Sequence, residues 1–264
     1  MTILICLLGL LAGIAANAAP VAFQSSERQT TLLELYTSEG CSSCPPAESW
    51  LSMLKSSSGL WSDFVPVAFH VDYWNNRAWR DKFSSEQYST RQRDYAQVWS
   101  AENIYTPEFV LSGKQWRNWF GFRGTPAASA LKTGVLQVSS DDGKHWQADF
   151  VPAENGTVDY EVTAALLVSE TSSDVKGGEN AGRHLNHDFA ALSLITRPLA
   201  SQTNGFHGKF VIDDNPKGIT GHFALAVWVT RSGQLEPLQA TGGWLPMAEK
   251  NNLSAQQQTT QNKK

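Results

Sequence analysis

The chain has 264 residues, 41% of them hydrophobic and 17% charged, which supports a substantial core in one large or two ordinary domains and excludes wholesale disorder. Lys and Arg total 21 against 25 Asp and Glu, a net charge of −4 that offers no electrostatic footprint for DNA or RNA. Seven of the ten tryptophans fall between Trp50 and Trp119, so aromatic weight is concentrated in the first half.

Ile3 to Ile14 is an uncharged apolar run followed by Ala16-Asn17-Ala18. A run of about a dozen residues is too short to cross a bilayer as a helix. Its small-residue ending fits a secretory leader over residues 1–18, cleaved after Ala18, although Met1-Thr2 lacks the usual basic residue. No later segment approaches membrane-spanning length. The expectation is therefore a periplasmic or secreted protein without stable membrane insertion. Loss of the leader removes Cys6 and leaves Cys41 and Cys44, whose short loop gives a bridge little leverage as a structural staple.

Residues 19–30 form a polar lead-in. Thr31–Thr37 (TLLELYT) reads as a strand, Ser38-Glu39-Gly40 as a turn, and Cys41-Ser42-Ser43-Cys44-Pro45-Pro46 as the entry to a helix ending near Leu54. Proline suits a first helical turn because it has no N–H to leave unpaired. Val65–Val71 reads as a second buried strand, which completes a βαβ unit with parallel strands and a right-handed crossover. Asp81–Glu102 reads as a long amphipathic helix with Phe83, Tyr88, Tyr95 and Trp99 inward and Arg91, Arg93 and Asp94 elsewhere. Phe109–Leu111 and Trp116–Phe122 are expected as short strands and Pro126–Lys132 as a short helix.

The character changes near residue 135. Strands are expected at Val135–Val138, His145–Val151, Val158–Val168, His184–Thr196, Phe206–Ile212, His222–Thr230 and Leu235–Thr241, separated by Gly, Asn and Asp clusters. Repeated short strands of this kind predict an antiparallel sandwich. The polar stretch at 250–264 is expected to be a disordered tail.

The sharpest chemical signal is the Cys41-Ser42-Ser43-Cys44 pair at a strand-to-helix junction. Partial positive charge at a helix N-terminus stabilises a thiolate, the reactive form. The first cysteine is expected at the open end, where a partner sulfur can reach it, and the second one turn on, where it resolves the mixed disulfide. Half of a zinc site uses the same spacing, but zinc normally takes four ligands and no second cysteine pair exists.

Leu33 to Ala47 (LELYTSEGCSSCPPA) resembles the signature of the DUF1223 family, secreted bacterial proteins with a thioredoxin-like domain. His70-Val71-Asp72-Tyr73-Trp74-Asn75, Tyr105-Thr106-Pro107 and Gly182-Arg183 with Leu185 and His187 also match, so the resemblance spans roughly residues 30–245. The last motif departs from the family pattern, reading Asp188-Phe189-Ala190-Ala191 where an Asn-Val-Val-Arg-like run is usual. The family carries no established substrate, so the resemblance implies a fold and a motif, not a reaction. The implied architecture is α/β: a thioredoxin-like domain over 30–134 followed by an antiparallel β-sandwich-like domain over 135–247.

Within a thioredoxin-like fold, Pro107 is expected to be a cis-proline opposite the cysteines, with Thr106 presenting its backbone to an extended substrate. Glu34 matches the buried acid that accepts the proton of the resolving thiol, its pKa raised by desolvation. His70 and Asp72, at i and i+2, share a strand face near the expected site, with Trp74 beside them. His184 and His187 point to opposite strand faces and are not expected to share a metal; His187 is expected in a polar contact between the domains.

The expected function is a thiol–disulfide oxidoreductase acting on a protein thiol or disulfide partner through Cys41, Cys44 and Glu34. Thr106, Pro107, His70, Asp72 and Trp74 would hold the substrate, and neither a cofactor nor a metal is assigned. One alternative is Cu(I) or another soft ion held by Cys41, Cys44 and His70. The other is a non-catalytic envelope binding module.

Overall fold

A computed structural model describes residues 20–154, 158–212 and 218–246. The expected leader and tail and the turn cluster Asp213-Asp214-Asn215 lie outside the described residues. The fold is mixed α/β, built mostly of strands in a large sheet with few helices. No helix among the described residues is long and apolar enough to cross a membrane.

The first half contains β1 (Val21–Gln24), β2 (Thr31–Thr37), α1 (Pro45–Met53), β3 (Phe64–His70), α2 (Glu86–Val98), β4 (Glu108–Leu111) and β5 (Lys114–Gln115). The strands β2 and β3 pair in parallel, with Leu35 opposite Ala68 and Thr37 opposite His70. Every residue of both is buried, which is why their sequences are near-continuous apolar runs without alternation. The expected βαβ unit is therefore present, with β4 antiparallel on the far side of β2.

Helix α2 is shorter than expected. Ser85 caps it by accepting the Gln87 N–H, and Asp81 to Ser84 form a turn ahead of it. Phe83, Tyr88 and Tyr95 are buried as expected, but Arg91 turns inward to a buried carboxylate. The expected strand at Trp116–Phe122 is instead a single 3-10 turn at Arg117–Trp119, and Pro126–Lys132 has no helix. Aromatic spacing near Trp116 mimics a strand, but Trp116 packs edge-on against Trp50 and Phe109, and Trp119 tilts against Phe109.

The second half supplies β6 (Gly134–Ser140), β7 (His145–Pro152), β8 (Tyr160–Ser169), β9 (Thr171–Asp174), β10 (His184–His187), β11 (Ala190–Gln202), β12 (Gly205–Val211), β13 (His222–Arg231) and β14 (Pro237–Trp244). The stretch expected as one strand from His184 to Thr196 breaks at Asp188-Phe189, where Phe189 takes a positive φ of 57°. Below the break β10 pairs with β9 in a separate two-stranded sheet; above it β11 pairs with β8.

The expected boundary near residue 134 does not separate two sheets. Ala190 of β11 pairs in parallel with Ala68 of β3, whose N–H donates to the Phe189 carbonyl at 2.8 Å. The sheet thus runs β14-β13-β8-β11-β3-β2-β4-β5 across both halves. In the other direction, β1 from the chain start pairs with β6. Strands β8 and β13 bury both faces. Ala165, Leu167, Ala224, Ala226 and Trp228 face the core of β2, β3 and α1, while Ala164, Leu166, Leu225 and Val227 face the core of β6, β7 and β12. One pair of strands therefore serves as a wall between two cores, which ties the β-rich half to the half that carries the cysteines.

Candidate functional site

The site is assembled at the C-terminal ends of β2 and β3, where side chains from loops and helix starts converge in a parallel α/β unit. The chain leaves β2 through Ser38-Glu39-Gly40, with the Gly40 N–H donated to Ser38 Oγ at 3.1 Å. Trp74 presses on this turn: a Cβ added at Gly40 would lie 3.1 Å from Trp74 Cβ. The Cys41 N–H donates to the Ser38 carbonyl at 3.2 Å and the Cys44 N–H to the Cys41 carbonyl at 3.2 Å. Cys44 then caps α1, with Pro45 and Pro46 in its first turn.

Cys41 and Cys44 are joined in a disulfide, their Cα atoms 5.5 Å apart. Cys41 is not at an open end: it is 1% exposed and Cys44 is 0% exposed, while Ser42 and Ser43 face solvent. The cover is the segment between β9 and β10. Asn180, fully buried, donates from Nδ2 to the carbonyls of Glu39 at 2.9 Å and Cys41 at 2.8 Å. Glu179 accepts the Ser42 N–H at 3.0 Å, and this hydrogen bond holds its carboxyl below the usual glutamate range.

Thr106-Pro107 stands on the other side of the cysteines, and its peptide bond is cis. Ser43 Oγ lies 3.3 Å from Cys41 Sγ and donates to the Thr106 carbonyl at 3.5 Å, so one hydroxyl spans from the disulfide to this loop. Trp74 Nε1 donates to Thr106 Oγ1 at 2.8 Å, and Gln92 of α2 donates to the Tyr105 carbonyl at 2.7 Å. Beside the loop, Tyr105, Pro107, Phe109, Trp116, Arg117 and Trp119 line a cleft of about 460 Å³.

Glu34 belongs to a different place. In β2 its neighbour Leu35 and the cross-strand Phe109 face α1, where Phe109 meets Trp50 edge-on at 5.2 Å. Alternation turns Glu34 to the opposite face. There it takes Arg91 Nε at 2.7 Å, Arg91 Nη2 at 3.1 Å, the Tyr95 hydroxyl at 2.6 Å and the Tyr36 hydroxyl at 3.0 Å. Burial pushes both phenols well above their usual range and keeps them as donors. Glu34 is a fully engaged structural carboxylate, so its expected role as proton acceptor for Cys44 is withdrawn.

His70 and Asp72 also part company. Asp72 accepts the Ser89 hydroxyl of α2, which in turn accepts the Asp72 N–H at 3.0 Å. His70, fully buried, shares its face with Thr37 and turns under α1. Its Nδ1 lies 2.7 Å from Asp81 Oδ2. His187 reaches the same place from β10: Nδ1 is 2.7 Å from Glu48 Oε2 and Nε2 is 3.3 Å from Glu39 Oε1. Thr37 donates to the other oxygen of Glu48 at 2.7 Å, and Trp79 Nε1 to the other oxygen of Glu39 at 2.9 Å. His184, by contrast, is exposed beside Asp174, as alternation along β10 requires.

Burial opposes the charged form of each imidazole, yet the surrounding carboxylates prevail. Asp81 holds His70 above its ordinary value, and Glu39 and Glu48 push His187 up to about 10. For Glu48 burial is likewise outweighed by His187, which lowers it, and for Asp81 by His70. Among the described residues, the group of ligating side chains whose donor atoms approach within 4.8 Å is Glu48, His70 and His187, without either sulfur. The expected soft-metal set of Cys41, Cys44 and His70 is therefore not assembled.

Sequence reasoning did not single out Glu39, Glu48, Asp81, Asn180 or Arg91. Glu48 carried a usable signal, four residues after Cys44 and hence one helical turn below it. Asn180 and Asp81 lie in irregular loops and carried none.

The sequence profile of DUF1223, described as a protein family of unknown function, matches residues 32–230. The chain belongs to the DUF1223 family. No curated protein matches it. Two solved structures resemble this DUF1223 protein in fold. One is the protein AGR_C_4864 from Agrobacterium tumefaciens, 21% identical over 85% of this chain and 97% of that chain, with a TM-score of 0.59. The other is HBP35 of Porphyromonas gingivalis, 14% identical over 86% of this chain and 79% of that one, with a TM-score of 0.53.

Proposed function

We propose that this DUF1223 protein is a periplasmic or secreted thiol–disulfide oxidoreductase, with its β2-α1-β3-α2-β4 portion serving as a thioredoxin-like unit. The observation that carries this is the Cys41–Cys44 disulfide at the start of α1, with Ser43 reaching from Cys41 Sγ to the Thr106 carbonyl. A nine-residue helix directed at the pair favours negative charge on a sulfur at its N-terminus. Beside it, the aromatic cleft from Tyr105 to Trp119 has the apolar lining and lone cation suited to an extended peptide segment.

The exchange conserves electrons and sulfur bonds. The Cys41 thiolate attacks a partner disulfide, forms a mixed disulfide and expels one partner thiolate, which takes up a proton from water. The Cys44 thiolate then attacks Cys41 Sγ, closes the Cys41–Cys44 bond and releases the second partner thiolate. The partner gains two electrons, and run backwards the same steps oxidise a dithiol. Entry to Cys41 requires displacement of the Glu179-Asn180 cover.

The test is the Cys44→Ala variant incubated with an envelope extract and with glutathione disulfide. A mixed disulfide at Cys41 that is missing from the Cys41→Ser variant is the expected result. Failure of the wild-type pair to equilibrate with glutathione, together with no trapped adduct, would end the oxidoreductase proposal.

A further inference from the structure

We infer that Glu48, His70 and His187 bind a divalent first-row transition-metal ion, zinc or one of similar ligand preference. The site lies under the start of α1 and uses neither sulfur, so it does not rest on the oxidoreductase proposal.

The first ground is a buried nitrogen left without a partner. His70 Nε2 is shielded from solvent and makes no hydrogen bond, in a group with Glu48 and His187 whose donor atoms lie within 4.8 Å of one another. Buried ring nitrogens are rarely left this way. The second ground is what holds the opposite side of each group. His70 Nδ1 meets Asp81 Oδ2, His187 Nε2 faces Glu39 Oε1 at 3.3 Å, and Glu48 Oε1 accepts Thr37, which leaves Glu48 Oε2 beside His187 Nδ1 on the side of the ion. A metal-binding histidine ordinarily gives its other N–H to a carboxylate that fixes tautomer and ring orientation. Both histidines here have that arrangement.

Charge gives a third ground. Glu39, Glu48 and Asp81 bring three carboxyl groups into a volume whose wall includes the Phe83 ring, 5.2 Å from His70 and 5.1 Å from His187. Buried carboxylates need counter-charge. One divalent ion supplies that counter-charge and gives His70 Nε2 a partner. Imidazole and carboxylate together suit zinc and its neighbours better than calcium, which takes oxygen ligands, or Cu(I), which takes sulfur.

An entry path exists. Glu48 and His187 form part of the floor of a cleft of about 590 Å³ between α1 and the β9–β10 hairpin, open to solvent past Ser49, Ser52, His184 and Asn186. A hydrated ion can reach the two ligands from that side without disturbing the cysteines.

The experiment is zinc uptake by chelator-stripped full-length protein, with metal per chain measured after gel filtration and thermal unfolding followed with and without zinc. One tightly held ion per chain is expected, with a higher melting temperature. Binding should be lost in His70→Gln and His187→Gln and retained in His184→Ala and in Cys41→Ser/Cys44→Ser. Cobalt in place of zinc should give d–d absorption without a thiolate charge-transfer band. Folded wild-type protein that takes up no zinc, or uptake that survives His70→Gln, overturns the site. Loss on His184→Ala or in the double cysteine variant overturns it equally, by moving the ion to the surface or to the sulfurs. The wild-type uptake measurement stands even where a buried histidine variant fails to fold.

Discussion

The Asn180 side chain donates to the backbone carbonyl of Cys41 at 2.8 Å, across 139 positions of sequence. Its second hydrogen bond, to the Glu39 carbonyl, makes this one residue a clip between the β9–β10 loop and the turn that carries the disulfide. Its own Oδ1 accepts Arg183 Nη1 at 2.7 Å, which fixes the orientation of the amide. The cover over Cys41 is therefore a hydrogen-bonded structure, not incidental loop packing.

Replacement of Asn180 by Ala removes both N–H donors, which strips the Glu39 carbonyl of its side-chain partner and leaves the Cys41 carbonyl with the Cys44 N–H alone, at a cost of ~1–3 kcal/mol. The disulfide should then be reduced several-fold faster by a small phosphine, with the fold otherwise retained. Reduction kinetics under conditions where both proteins are folded check this. An unchanged rate would mean that the loop does not limit access to Cys41.

Glu179 makes that cover dependent on pH. Its pKa is depressed from the ordinary value of 4.5 because the carboxylate accepts the Ser42 N–H, so its contribution is present above that value and lost as pH falls through the lower folded value. The Ser42 contact should loosen only in acid, below the ordinary glutamate range. Compared with Glu179→Gln, the wild-type protein should gain relative phosphine reactivity as pH drops through this window. A ratio between the two that stays flat with pH would remove Glu179 from the control of access.

How much of this could be read from the sequence depends on how local each signal is. The strand, cysteine pair and helix around Leu33–Ala47 were legible because every cue lies within about fifteen residues. The two-sided burial of β8 and β13 was hidden, since a run such as Thr163–Val168 reads the same whether one or two cores flank it. Glu34 shows the limit most clearly. Its apolar neighbours announced burial correctly, but only the pleat relative to α1, and an Arg91 on a distant helix, decide which chemistry it joins. His187 was recognised as an inter-half contact, while its carboxylate partners at Glu39 and Glu48 come from a turn and a helix that carry no mark of the pairing.

The rim of the aromatic cleft offers a test of substrate contact that spares the core. Tyr105 is 42% exposed, and its backbone, not its ring, meets Gln92. Tyr105→Ala should therefore leave stability and reaction with glutathione unchanged. It should lower kcat/KM for a peptide or protein disulfide roughly tenfold, ~1.4 kcal/mol of binding typical of an aromatic contact residue. Equal effects on glutathione and on the protein substrate would place the ring outside the docking surface.

Glu34 and Arg91 carry a prediction about stability in place of catalysis. The Glu34 carboxylate is fully buried, and the Arg91 guanidinium also stacks 5.2 Å from the Trp228 ring of β13, so the pair joins β2, α2 and the shared wall. Removing one member strands the other charge in the core. Glu34→Gln should cost ~3–5 kcal/mol in urea unfolding, and Glu34→Leu with Arg91→Met should recover most of it, because apolar replacement of a whole buried pair is often near neutral. Disulfide exchange measured on the folded fraction should keep the wild-type pH profile in Glu34→Gln, since the carboxylate faces away from α1 and Cys44. A shifted thiol pH profile with undiminished stability would return Glu34 to the redox chemistry.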